Sequence, residues 1–131
     1  KKYFDISYHT KKMNEFFNIG IGIDLVEINR FKERPYSTNQ SFYTKIFSEN
    51  EINYCLKFSD SYRHFAGKFA LKEALIKSIK KKIHFSDIFT WHLDSSPQIS
   101  IKKSHEEYNF HASLSHETDF AIGIVLSKKV I

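Results

Sequence analysis

Hydrophobic residues near the start of the chain alternate with small and acidic ones. Every second position carries an aliphatic residue, and the positions between them carry Gly20, Gly22, Asp24 and Val26. A period of two predicts a β-strand with one apolar face, formed by Ile19, Ile21, Ile23 and Leu25. The glycines on the other face leave room for a ligand or another backbone, and Asp24 would lie beside that gap.

Helical signals follow this strand. Glu27–Lys32 predicts a short helix, and Ser37–Ser41 predicts a loop. Ser48 and Glu51 match a capping box, so a second helix should begin there.

The strongest helix signal spans Tyr62–Lys80. At about 100° per residue its apolar residues form one stripe, and Glu73 borders that stripe among small neighbours. Lys72 falls within the stripe, so its side chain must reach solvent or contact a specific partner. The stripe comprises Phe65, Phe69, Ile76 and Ile79.

The last third of the chain predicts strands. Asp94–Pro97 has the composition of a turn. The early strand, the helices and the later antiparallel strands together predict an α+β fold with a small antiparallel sheet and a long central helix. The four later strands are predicted over Ile88–Leu93, Gln98–Lys102, Phe110–Ser115 and Phe120–Leu126.

The length of 131 residues indicates one domain, which we assign to residues 17–131, with residues 1–16 as an N-terminal extension. Met13 is a candidate start, and what precedes it is either an upstream extension or a trimmed targeting segment. Cys55 is the only cysteine, which favours a reducing compartment, and no apolar run approaches the ~20 residues of a membrane span. We expect a cytoplasmic protein with no membrane partner, although an organelle remains open.

The chain is basic, with 20 Lys and Arg against 15 Asp and Glu. This charge favours an acidic partner, or it is simply a solvated lysine-rich surface. No RNP-type motif accompanies the aromatic residues, so we expect no nucleic-acid partner and rank an RNA-binding module last.

Several kinds of chemistry are poorly supported. Histidines and the single cysteine lack the spacing of a structural zinc site, since His105, His111 and His116 form no known motif. There is no Gly-x-Ser-x-Gly elbow and no Walker A or Rossmann glycine pattern. Asp24 and Glu73 remain as a carboxylate pair of the kind that holds Mg²⁺ together with substrate phosphates, although their spacing alone does not show that they meet.

Three motifs in order resemble the holo-[acyl-carrier-protein] synthase family. Gly20–Ile28 is similar to its N-terminal strand signature, and Phe65–Lys77 to its central helix, with Lys-Glu-Ala followed two residues later by Lys. Ser113–His116 resembles its Ser-x-Ser-His strand, and Phe47–Cys55 fits its second helix. The resemblance covers the chain from about Ile19 to the C-terminus.

This resemblance implies a 4′-phosphopantetheinyl transferase-like fold and a homotrimer with active sites between subunits. It implies transfer of the 4′-phosphopantetheine arm of coenzyme A to a serine of apo acyl carrier protein, in fatty-acid or related synthesis, with Mg²⁺ as cofactor. Asp24 and Glu73 match the metal-binding carboxylates, and Glu73, Asp24 and Lys77 are the catalytic candidates. Lys68, Lys77 and His116 match positions near the coenzyme A phosphates, and Arg30 matches the arginine that holds the carrier protein.

The chain departs from the family pattern at several positions. Lys68 replaces an arginine, and Lys80–Lys82 replaces a glycine-rich turn after the helix. Ser95 or Ser96 stands in place of a glycine in the turn before Pro97, and Glu117 adds a negative charge beside His116. These changes keep open a catalytically silent homologue that binds coenzyme A or a carrier protein.

Overall fold

A computed structural model describes residues 18–102 and 107–130. The extension predicted over residues 1–16 and the histidine His105 lie outside the described residues, so the domain division stays a prediction. Within the described ranges, no helix combines the length and apolarity needed to cross a bilayer.

The described chain folds into five strands and four α-helices, which confirms the predicted α+β class. The strands are β1 (Ile19–Glu27), β2 (Ile88–Leu93), β3 (Ser96–Ile101), β4 (Glu107–His116) and β5 (Phe120–Val130). The helices are α1 (Asn29–Lys32), α2 (Gln40–Ile46), α3 (Glu49–Leu56) and α4 (Ser61–Ile79). Two short 3₁₀ helices occupy Tyr36–Thr38 and Phe85–Asp87.

The strands form two antiparallel sheets. One sheet has the order β1-β5-β4, and the other is the β2–β3 hairpin. β1 pairs with β5, with Asp24 opposite Gly123 and Ile19 opposite Lys128. This pairing places the first and last strands beside each other and brings α4 across one face of the sheet.

The glycine face of β1 is the face that packs on α4. A Cβ on Gly22 would stand 1.8 Å from the carbonyl oxygen of Ala74, and one on Gly20 would stand 1.8 Å from that of Ser78. Any side chain would therefore push the strand off the helix. The sequence prediction that another backbone approaches these glycines is confirmed.

The apolar face of β1 points away from α4 and is exposed in the single chain. Ile21, Ile23 and Leu25 are 65%, 55% and 59% exposed, and Ile122 and Leu126 of β5 extend the same surface. Contiguous exposed apolar surface of this kind marks an interaction site in most proteins.

An aromatic cluster fills the space between the helices and the sheet. Phe31 lies at its centre, within 6.4 Å of the rings of Phe47, Phe65 and Phe69. The Tyr43 hydroxyl donates to the Arg34 carbonyl at 2.7 Å, which satisfies the one polar atom of a fully buried ring. This core holds α1, α2 and α4 together.

Lys72 has the specific partner that its position in the apolar stripe predicted. Its fully buried ammonium donates to Glu51 Oε1 at 2.7 Å, to the Ile46 carbonyl at 2.7 Å and to the Phe85 carbonyl at 3.2 Å. Glu51 also closes the predicted capping box, since Ser48 N–H donates to Oε1 and Ser48 Oγ accepts from Glu51 N–H. Lys72 thus links α4 to α3, to the end of α2 and to the 3₁₀ helix at Phe85–Asp87.

Some predicted boundaries were wrong. The loop predicted over Ser37–Ser41 contains the end of a 3₁₀ helix and the start of α2, because Asn39 side-chain and backbone hydrogen bonds to Pro35 and Tyr36 order the segment. The turn predicted over Asp94–Pro97 is confined to two residues with positive φ, and β3 already begins at Ser96.

α4 is followed by Lys80, at the point where the family pattern has a glycine-rich turn. Lys80 adopts φ 57°, ψ 35° and its backbone N–H donates to the Ile76 carbonyl. A left-handed residue is the common way to end a helix, and glycine usually supplies it. Here a lysine adopts that conformation at an energetic cost of about 1 kcal/mol.

Candidate functional site

Asp24 and Lys77 form an ion pair between β1 and α4. Lys77 Nζ lies 3.0 Å from Asp24 Oδ1 and 3.0 Å from the Ile23 carbonyl oxygen. The Asp24 side chain is 17% exposed and the Lys77 side chain 53%, so the carboxylate is recessed and the ammonium lies at the surface. Two positions far apart in sequence are joined because the glycine face allows close packing.

Glu73 lies one helical turn before Lys77 on α4, and its carboxylate is close enough to Asp24 for the two charges to interact. Partial burial raises the pKa of Glu73, and the nearby Asp24 charge raises it further, while Lys77 and Arg30 act in the opposite direction. The structure therefore brings together Asp24, Glu73 and Lys77, which their spacing in the sequence did not show.

Arg30 lies at the edge of the same cluster. Its guanidinium stands 4.9 Å from the centre of the Phe69 ring, and the residue is exposed. A cation over an aromatic face is held in place without losing its contact with water. Arg30 is thus both oriented and available to an acidic partner.

Lys68 is not part of this cluster. Its side chain is buried, and its ammonium donates to Thr90 Oγ1 at 3.0 Å and to the Thr90 carbonyl at 3.4 Å. It also stands 4.7 Å from the centre of the Tyr54 ring. Burial lowers the pKa of Lys68, against the raising effect of Cys55 and Glu51.

His116 lies at the end of β4, against the first half of α4. A Cβ on Gly67 would stand 2.9 Å from its Nε2, so the glycine makes room for the imidazole. Burial lowers the pKa of His116, as does the Arg63 charge. His116 and Lys68 therefore lie near the N-terminal half of α4, whereas Asp24, Glu73 and Lys77 lie near its C-terminal half.

Two carboxylates converge here, but no larger set of ligands does. Among residues 18–102 and 107–130, no group of three or more His, Cys, Asp or Glu side chains is placed to hold a metal ion. A pair of carboxylates suits Mg²⁺, which takes one or two of them and completes its shell with water and substrate phosphates.

The sequence did not indicate two further histidines beside His116. The His64 ring centre is 6.2 Å from that of His116, and His92 lies beside Tyr54 with ring centres 5.0 Å apart. His64 precedes Lys68 by one helical turn, a spacing that was visible in the sequence. The placement of His92 depends on how the hairpin packs on the helices, and no local pattern reports that.

The fold agrees with comparisons against known proteins. The model of the 4′-phosphopantetheinyl transferase superfamily matches residues 20–125, a range that runs from the second residue of β1 to the middle of β5 and includes all four helices. The chain belongs to this superfamily.

Its relatives define a narrower group. The chain is 40% identical over 119 residues to the holo-[acyl-carrier-protein] synthase of Ehrlichia ruminantium strain Gardel, covering 85% of this chain and 97% of the relative. It is 35% identical over 121 residues to that of Halothermothrix orenii, covering 84% and 97%. These matches place the chain in the holo-[acyl-carrier-protein] synthase family and confirm the resemblance that its motifs indicated.

Solved structures of holo-[acyl-carrier-protein] synthases have the same fold as this chain. The holo-[acyl-carrier-protein] synthase of Helicobacter pylori in complex with coenzyme A superposes with a TM-score of 0.72 at 31% identity, over 82% of this chain and 99% of that one. That of Bacillus anthracis in complex with CoA (3′,5′-ADP) superposes with a TM-score of 0.71 at 30% identity, over 85% and 96%. The predicted enzyme class, a phosphopantetheinyl transferase, is confirmed.

Proposed function

We propose that the cluster of Asp24, Glu73 and Lys77 is where the 4′-phosphopantetheine arm of coenzyme A is transferred to a serine of apo acyl carrier protein. The observation that carries this assignment is the meeting of two carboxylates and an ammonium where the glycine face of β1 packs on α4. The serine oxygen bonds to the β-phosphorus of coenzyme A as the bond to the adenosine 3′,5′-bisphosphate leaving group breaks.

The residues present fit Mg²⁺. The Asp24 charge adds to burial in raising the pKa of Glu73, and a cation between the two carboxylates would relieve this repulsion. We propose that these two side chains hold Mg²⁺, which neutralises negative charge on the diphosphate of the donor. Lys77 adds a positive charge at the exposed rim, where an incoming phosphate competes with Asp24 for its ammonium.

Glu73 is our candidate for the base that takes the serine proton. Burial raises the pKa of Glu73, which makes its carboxylate a stronger base than an ordinary exposed one. Asp24 is the second candidate, since it lies beside Glu73 and is recessed. Lys68 precedes Glu73 by five residues on α4, and His116 of β4 lies against the same half of the helix; we propose that they bind other phosphate groups of the donor.

The carrier protein would dock beside Arg30. The guanidinium is exposed and oriented by Phe69, and its charge acts on Glu73, so a partner bound there would be close to the proposed reaction centre. The net charge of +5 would speed the approach of an acidic carrier protein.

We propose that the partner covering the apolar face of β1 and β5 is further copies of this chain, in a homotrimer. Ile21, Ile23 and Leu25 are more than half exposed, which is a poor arrangement for an isolated protomer in water. Sedimentation equilibrium should give three times the mass of 15.5 kDa, and an Ile23→Lys variant should sediment as a monomer. A monomeric parent protein would contradict the trimer.

Mass spectrometry of an apo acyl carrier protein tests the transfer directly. After incubation with this protein, coenzyme A and Mg²⁺, the carrier should gain the mass of one phosphopantetheine arm. EDTA should abolish the gain, and Glu73→Gln should lower the rate by at least about 100-fold, because both the base and the charge are lost. Lys45→Gln, on the exposed surface of α2, is the matched control and should react normally.

A catalytically silent homologue would give a different result. If several carrier proteins gain no mass while the protein still binds coenzyme A, the proposed transfer reaction is refuted and the silent homologue remains.

A further inference from the structure

Thr90 joins three segments that are far apart in the sequence. It is buried on β2, in contact with Glu51 of α3 and Lys68 of α4. Its hydroxyl donates to Glu51 Oε2 at 2.6 Å, and its backbone N–H donates to the same oxygen at 2.9 Å. Lys68 Nζ donates to the hydroxyl oxygen at 3.0 Å and to the Thr90 carbonyl at 3.4 Å. One threonine thus connects a buried carboxylate with a buried ammonium.

The direction of these hydrogen bonds is fixed by the groups at either end. A carboxylate only accepts and an ammonium only donates, so the Thr90 hydroxyl must give its proton to Glu51 and accept from Lys68. Hydrogen bonds in such a chain polarise one another, so the Glu51 charge strengthens the bond from Lys68. Valine, which has nearly the same shape as threonine, could make neither bond.

Glu51 serves two lysines of α4 through its two oxygens. Oε1 accepts from Lys72 at 2.7 Å, whereas Oε2 accepts both bonds from Thr90. Lys68 and Lys72 are one helical turn apart, and both side chains are buried. Within the described part of the chain, Glu51 forms an ion pair with Lys72, and the hydroxyl of Thr90 links it to Lys68.

Lys68 keeps one N–H for a further partner. Its ammonium has three donors, and the Thr90 hydroxyl and carbonyl take two of them. Lys68, Thr90 and Tyr54 line a cavity of about 330 Å³ between α3 and β2, and the ammonium lies 4.7 Å from the centre of the Tyr54 ring. A lysine side chain is long and flexible, so contacts of this kind decide where its charge is held.

We infer that Thr90 is a positioning residue for the transfer reaction, because its hydroxyl, anchored by Glu51, fixes the Lys68 ammonium where it meets the donor. This inference rests on the proposed function, in which Lys68 binds a phosphate group of coenzyme A. Lys68 stands where the family pattern has arginine, whose planar guanidinium is preorganised in a way that a lysine side chain is not. The Thr90 hydroxyl supplies the missing constraint. Thr90 acts through Lys68 and touches no substrate itself.

Loss of the hydroxyl should weaken donor binding and leave the chemical step unchanged. Thr90→Val removes the hydroxyl, so the Kd for coenzyme A should rise about tenfold, which is the scale of a hydrogen bond to a charged group. Thr90→Ser keeps the hydroxyl and should bind nearly as tightly as the parent protein. In both variants kcat at saturating coenzyme A should stay at the parent value, because the contact is made equally before and during the reaction.

A double-mutant cycle separates positioning from a purely structural role. Lys68→Met removes the ammonium, and Thr90→Val is then introduced into that variant as well. If Thr90 acts through Lys68, its loss should cause no further change in the Kd once the ammonium is absent. A structural role predicts the same weakening whether or not Lys68 is present. Thr44→Val, at an exposed position on α2 where the hydroxyl donates to the Ser41 carbonyl, is the matched control and should bind normally.

Isothermal titration calorimetry of the full chain with coenzyme A and Mg²⁺ measures each Kd, and urea unfolding verifies that each variant is folded under the conditions used. Thr90→Ala and Lys68→Gln also lack the hydroxyl and the ammonium, and they complete the cycle if a first variant does not fold.

The outcomes are distinguishable. An unchanged Kd in Thr90→Val, or equal weakening with and without Lys68, refutes the inference and leaves the transfer reaction intact. A parent protein that binds coenzyme A but modifies no carrier refutes the proposed function, and the role of Thr90 in that reaction falls with it. Failure of the parent protein to bind coenzyme A overturns both.

Discussion

The substitution Gly22→Ala tests whether the glycine face positions the reaction centre. The new Cβ would stand 1.8 Å from the Ala74 carbonyl oxygen, whereas real Cβ contacts are essentially never below 3.0 Å. Strand and helix must therefore separate by at least the difference, 1.2 Å. The obstacle is backbone on both sides, so no side-chain rotation relieves it.

The separation falls beside the residues proposed to react. Asp24 is two positions along β1 from Gly22, and its 3.0 Å contact with Lys77 lengthens past 4.0 Å if the whole 1.2 Å is added to it. A misplacement of about 1 Å can cost about 100-fold in rate. Overpacking of this kind also costs about 1–3 kcal/mol of stability. We expect both losses in Gly22→Ala.

Two measurements separate these effects. Urea unfolding, at fixed protomer concentration, gives the stability, and the rate of carrier modification under conditions where the variant is fully folded gives the catalytic loss. Gly123→Ala is the graded control, because its Cβ would meet backbone atoms of Ala70 and Leu71 at 2.8 Å and requires a shift of only a few tenths of an ångström. A Gly22→Ala protein that is folded and transfers at the parent rate would show that close packing does not set the geometry of the site.

Three further predictions concern the helix and its partners. Lys72→Met should destabilise the protein by about 3–5 kcal/mol in urea unfolding, because it leaves Glu51 buried without its cation, and adding Glu51→Gln should recover part of the loss; a cost below about 1 kcal/mol would contradict the importance of the pair. An NMR titration of the metal-free protein should show a raised pKa for Glu73 that falls in Asp24→Asn, because the Asp24 charge contributes to the raised value; an unchanged titration would mean that the two carboxylates do not interact. Lys80→Gly should raise stability by about 0.5 kcal/mol, since relief of the left-handed strain exceeds the entropy that glycine adds to the unfolded chain; a loss of stability would refute this account of the helix end.

Hydrophobic periodicity predicted the strands and helices of this fold, but it did not predict which of their faces are buried. The period of two located β1, and the glycines predicted a close backbone, because both signals are local. The pattern does not say which face of β1 meets the helix, and the isoleucine face proved to be the exposed one. Glycine permits a closer approach to α4 than isoleucine does, so here the polar and small residues face inward.

For the candidate site as well, the sequence identified residues but not all of their contacts. Asp24, Glu73 and Lys77 were identified by type and motif, and the structure brings them together. Lys68 was identified by motif, but its contact with Thr90, which is 22 residues away in sequence, was not predicted. His92 was missed for the same reason, since only the packing of the hairpin places it near Tyr54.

β1 is an edge strand in the described part of the chain, and this has a practical consequence for protein production. Its outer edge offers backbone groups beside a row of exposed isoleucines, which is the pattern that templates sheet-to-sheet aggregation. Lys77 blocks only one position of that edge, the Ile23 carbonyl. A protomer released by dilution or by an alanine substitution would therefore precipitate sooner than it would persist in solution, whereas lysine on the same face would supply the charge that keeps an unpaired edge dispersed.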